Sequence, residues 1–178
     1  MFDGIQKIKY NGDMETERNK TAVMPHYSEI PDVGLYLDQT AKFINGYLDL
    51  YPDMLVTTSM ISNYAKQKLI GKLSRKTYSR IQIASLILVN VSKTVLSIQN
   101  VKTLLEDIRT SEDDFQSAYE KFRQVLVDTL GALYENKQIS IGAQGEGTSD
   151  MLSATVVAIA HKMYLEQYFA SRKENPEN

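Results

Sequence analysis

Five small or basic polar residues fall on one side of an amphipathic pattern over residues 57–68: Thr58, Ser59, Ser62, Asn63 and Lys66. They lie opposite the apolar positions Met60, Ile61 and Tyr64. An asparagine amide can pair bidentately with the edge of adenine, and serine or threonine hydroxyls can bond either base type or a phosphate oxygen. Lys68, Lys72, Arg75, Lys76 and Arg80 follow immediately. Cations in that position would neutralise phosphates and fix register while the preceding helix reads base edges.

The charge distribution supports the same chemistry. The 178-residue chain has a formal net charge of -2, but residues 54–105 contain no carboxylate. That stretch holds eight basic residues, the six between Lys66 and Arg80 together with Lys93 and Lys102, so all 22 acidic residues lie elsewhere. A basic face on an otherwise acidic molecule is the electrostatic footprint of a nucleic-acid partner. The simpler alternative is a chance cluster on a solvated helix, which a carboxylate-free run of this length disfavours. Helical periodicity takes Lys93 and Lys102 out of the contact set.

Other chemistries find little support. The chain has no cysteine, so disulfides, thiolate metal sites and thiol nucleophiles are excluded. His26 and His161 lack ligand spacing. The glycines of residues 142–147 precede a helix start, but the strand and the Lys-Ser/Thr pair of a phosphate-binding loop are missing, so they read as a connector. Ser149, Asp150 and His161 do not have the order or spacing of a catalytic triad. No catalytic residue, metal or cofactor is assigned, and the chain reads as a non-enzyme. It shows no signal-peptide pattern and no membrane-length apolar run, which points to a cytoplasmic protein without a membrane partner.

The elements that must position these residues are helical. Residues 1–28 are polar, broken by Gly4 and Gly12, and read as a flexible leader. Pro31 and Asp32 set up a helix over 34–50, closed by Pro52. Thr57 or Thr58 caps the polar helix, which is expected to stop near residues 69–71 with Gly71 just beyond its last turn. Residues 71–79 suit a small wing or hairpin. Ser79 then caps a helix apolar on every side, implying burial on more than one face, and Ser97 caps another over 98–108. Ser111 with Glu112, Asp113 and Asp114 forms an acidic helix start, where the helix dipole favours negative charge, and that helix runs to about Tyr134. A last helix spans about 150–171. Its 151–160 segment is apolar on too many sides for a peripheral helix, which argues for burial or self-association. Phe115, Tyr119, Phe122, Tyr134, Tyr164, Tyr168 and Phe169 read as core or interface in preference to an effector pocket.

The stretch TTSMISNYAKQKLI (57–70) followed by RKTYS (75–79) resembles the recognition helix and wing of MerR-type winged-helix regulators, and LSIQNVKTLL (96–105) resembles the helix that follows. Together with IPDVGLYLDQ (30–39), the pattern is similar to a bacterial family defined as domain of unknown function 1836, over about residues 25–135. The MerR resemblance implies a dimeric transcription regulator in which helix and wing grip one half-site. Tyr64 matches the helix tyrosine, Lys76 the basic wing position, and Tyr78 and Ser79 its closing pair. Ser62 stands where that type has arginine, a long dimerisation helix is not evident, and thiolate-based effector logic cannot apply.

The reading is a mostly α protein: a leader over 1–28, a winged helix-turn-helix over 29–108, and a helical subdomain over 109–178 that mediates homodimerisation or holds an effector. Its function would be sequence-specific binding of double-stranded DNA. The alternative is an adaptor whose basic helix pair binds an acidic protein.

Overall fold

In the computed structural model, which describes residues 21–73, 76–110, 114–138 and 148–174, the chain is mostly helical. The helices are α1 (Leu37–Leu48), α2 (Thr58–Lys66), α3 (Arg80–Ser92), α4 (Ile98–Thr110), α5 (Phe115–Tyr134) and α6 (Thr148–Glu174). Single 3-10 turns occur at Tyr27–Glu29 and Pro52–Met54.

Helix α3 is the axis of the fold. Every residue from Ile83 to Ser92 is buried, as its all-round apolar sequence requires, and α1, α4, α5 and α6 all pack against it. Helices α5 and α6 form the most extensive helix pair. One apolar cluster runs without a break from Val23 to Met163, so packing crosses the 108/109 boundary drawn from sequence. Among the described residues, no helix is long and apolar enough to cross a membrane, and no group of three or more His, Asp or Glu residues could hold a metal ion.

The helix starts follow the local capping chemistry. Thr57 Oγ1 accepts the Met60 N–H at 3.2 Å, and Gln82 Oε1 reaches back to the Ser79 N–H at 2.9 Å. These bonds satisfy donors that a helix leaves orphaned in its first turn. Asp114, expected inside the first turn of α5, is instead its N-cap and accepts the Ser117 N–H at 3.0 Å. The proposed cap Ser111, with Glu112 and Asp113, lies outside the described residues.

Part of the leader is structured. Val23, Met24 and Pro25 are buried, and three α5 side chains hold this segment. Tyr119 Oη donates to Pro25 O at 3.0 Å, Arg123 Nε donates to Met24 O at 3.1 Å, and Glu120 Oε1 accepts the Tyr27 N–H at 2.5 Å. The Tyr27 ring meets Phe115 and Tyr119 edge to face, with centroids 6.4 and 5.7 Å apart. Polar composition suggested a loose segment here. Apolar burial and these long-range bonds order residues 23–27.

The wing also differs from expectation. Among the described residues of 71–79 there is no hairpin. Tyr78 instead pairs with Leu35 across an isolated antiparallel bridge, with N–H···O distances of 3.1 and 2.8 Å. Gly34 permits this approach, because a β-carbon there would lie 2.5 Å from Thr77 Oγ1. The residues just before α3 are therefore tied to the segment before α1.

Candidate nucleic-acid interface

Helix α2 carries the candidate face. Ile61 and Tyr64 are buried and fix its roll, leaving Ser59, Asn63 and Lys66 exposed and Thr58 and Ser62 half-buried. Ser59, Ser62, Asn63 and Lys66 are spaced by three, four and seven residues from the first, so they share one side of the helix. No acidic residue stands in the first turn of α2, and Lys66 is in its last.

The connection from α1 to α2 spans residues 49–57, longer than the three- or four-residue turn of a tight helix-turn-helix. Two asparagines from different helices hold it. Asn45 on α1 accepts the Val56 N–H at 2.8 Å and donates to Val56 O at 2.9 Å. Asn90, fully buried on α3, donates from Nδ2 to Met54 O. Local sequence pattern does not assign either asparagine this role. The one available signal was Asn90 inside an otherwise apolar run, because a buried amide must find partners.

The C-terminus of α2 departs from the sequence expectation. The helix ends at Lys66, and Lys68, not a glycine, takes the left-handed conformation just past it, at φ 60°. The Leu69 N–H bonds to Tyr64 O at 3.1 Å and the Lys68 N–H to Ala65 O at 3.0 Å. This is a Schellman arrangement with lysine in the position that glycine normally holds. Gly71, at φ 79°, serves a second turn. Arg109 on α4 supports the segment by donating from Nη2 to Leu69 O at 2.5 Å.

The remaining cations divide into two groups. Lys68, Lys72 and Lys76 are exposed, and Arg75 lies outside the described residues. Arg80 is engaged elsewhere. Its Nε donates to Ile30 O at 2.8 Å and lies 3.8 Å from Asp32, and its guanidinium stacks over the Tyr27 ring at 5.8 Å. It fastens the N-terminal segment to α3, which sets it apart from the exposed lysines. Lys93 is half-buried over the Tyr64 ring at 5.8 Å, and burial pushes its ammonium pKa down. Lys102 is paired with Glu106 at 3.9 Å, one turn along α4.

The aromatic set is mostly structural. Tyr119 and Phe122 are core residues. The Tyr134 ring meets that of Tyr164 at a 58° tilt with centroids 5.4 Å apart, and its hydroxyl lies 3.4 Å from that of Tyr51. A cleft of about 200 Å³ lies between the N-terminal segment and the end of α1, lined by Val23, Tyr47, Asp49 and Tyr51 among others. Tyr168 and Phe169 remain exposed on α6.

No curated protein and no solved structure matches the chain. Residues 25–122 match the family model described as Domain of unknown function (DUF1836). The match takes in the N-terminal segment, α1 to α4 and the first part of α5, including the whole candidate face and the residues that hold it. By this match over more than half its length, the chain belongs to the DUF1836 family.

Proposed function

We propose that this chain binds double-stranded DNA sequence-specifically, as a transcription regulator, by presenting the polar side of α2 to the major groove. The observation that carries the reading is the single side of α2 formed by Ser59, Ser62, Asn63 and Lys66, continued by exposed Lys68, Lys72 and Lys76. No carboxylate occurs in sequence between Asp53 and Glu106 to repel a duplex. Asn63 and the serines would read base edges, and the lysines would contact phosphates.

The left-handed Lys68 adds support. A non-glycine residue in that conformation costs about 1–2 kcal/mol, and such outliers tend to persist where the side chain serves a function. Here the side chain is a cation beside the polar face. The bridge between Leu35 and Tyr78 gives the segment carrying Lys76 a fixed origin, the role a wing would have in a MerR-like arrangement. If the protein acts as a dimer, as that resemblance implies, two such faces would address a pseudo-palindromic site.

Selection of bound sequences from a random duplex pool, followed by salt titration of the winner, tests the proposal. Affinity should fall steeply with salt while preference over random competitor persists. Competition by random DNA as effective as by the selected duplex would refute it. An acidic protein captured in place of DNA would favour the adaptor alternative.

A further inference from the structure

Helix α6 has two apolar sides. One, including Val156, Ile159, Ala160 and Met163, is buried in the core. The other is exposed and contains Met151, Ala154, Ala158, His161, Leu165, Tyr168 and Arg172. The exposed positions alternate in steps of three and four, which is the spacing of a seam that faces another helix. The stripe is about 32 Å long at 1.5 Å per residue, and Phe169 widens its C-terminal end at 56 % exposure.

We infer that this stripe is where a second copy of the chain docks, with the two α6 helices antiparallel and a two-fold axis near His161. Size complementarity along the stripe carries the direction. Its N-terminal half is small at Ala154 and Ala158, and its C-terminal half is large at Leu165, Tyr168 and Phe169. A parallel pair would set alanines against alanines and rings against rings, leaving one half loose and the other crowded. An antiparallel pair sets Ala154 against Tyr168 and Ala158 against Leu165, so helix separation stays even along the contact.

Charge agrees with the same register. Asp150 lies in the first turn of α6, and Arg172 and Lys173 lie in the last. With His161 opposite its own copy, Asp150 falls opposite Arg172 of the second copy at both ends. A self-complementary patch of this kind is what a two-fold contact requires. The inference does not depend on nucleic-acid binding and is tested without DNA.

The test uses the full chain. Light scattering on a sizing column should show the mass rising from one chain to two with concentration. Leu165→Lys with Phe169→Lys should weaken the dimer at least tenfold while helix content stays unchanged. Because the chain has no cysteine, His161→Cys gives a single thiol, and mild oxidation should yield a covalent dimer. Ala154→Cys alone should remain uncrosslinked, but should link when mixed with Tyr168→Cys. These two readouts hold even if the double lysine variant fails to fold.

A monomer at all concentrations would overturn the inference. So would self-crosslinking of Ala154→Cys as readily as His161→Cys, which would mean a parallel pair. If the full chain stays monomeric and a chain lacking residues 1–20 dimerises, the stripe belongs to that segment and the inference also fails.

Discussion

Asn45 holds Val56 by both edges of one amide, accepting its N–H at 2.8 Å and donating to its carbonyl at 2.9 Å. Val56 is buried and sits just before the Thr57 cap, so this clamp sets where α2 begins relative to α1. Asn45→Ala would leave two buried backbone groups unpaired. We expect a loss of about 1–3 kcal/mol, the usual cost of stranding a buried polar group, measured by urea unfolding. Asn45→Asp should also destabilise, because a carboxylate cannot donate to the Val56 carbonyl.

Lys68 separates stability from binding. Lys68→Gly relieves a left-handed lysine and should raise stability by about 1 kcal/mol. The same change removes a cation beside α2 and should weaken DNA binding. A thermal melt and a binding titration on one sample check both directions. A variant that is more stable and binds equally well would remove Lys68 from the interface.

Asn63, the exposed lysines and Arg80 should behave as three classes. Lys72→Ala with Lys76→Ala should reduce affinity for every sequence and lower the salt slope by about 2, near 0.9 per lost phosphate contact. Asn63→Ala should relax discrimination at one or two base positions. Arg80→Gln should chiefly reduce stability, because its bond to Ile30 O is intramolecular. Equal losses of affinity from all three changes on every sequence would count against the assignment of α2 as the reading helix.

Asp114 predicts an acid-side sensitivity. The backbone N–H of Ser117, and then its hydroxyl, hold the carboxylate below its ordinary pKa. A depressed folded pKa means that the stabilisation is present above the unfolded value, near 3.9, and is lost as pH falls through the folded one. Asp114→Asn should therefore flatten the decline of stability between about pH 5 and pH 2, followed by helix content during acid titration.

The sequence alone determined the helices, their main caps and the buried character of α3. These follow from periodicity and hydrogen bonds between residues a few positions apart, as at Thr57 with Met60 and Ser79 with Gln82. It also determined the carboxylate-free stretch that makes α2 a candidate face. Tertiary structure decided the rest. It drew Arg80 to Ile30, fifty positions away, and Arg109 to Leu69, forty away. It paired Tyr78 with Leu35, a partner far away in sequence, and packed residues 23–27 onto α5. A guanidinium or a strand-like segment carries no local mark of its partner, because several satisfy it equally until packing leaves one within reach. Lys68 is the sharpest case. Local rules placed the helix stop at a glycine, yet the bonds from Leu69 and Lys68 back to Tyr64 and Ala65 close α2 earlier and hold a lysine where glycine would rest.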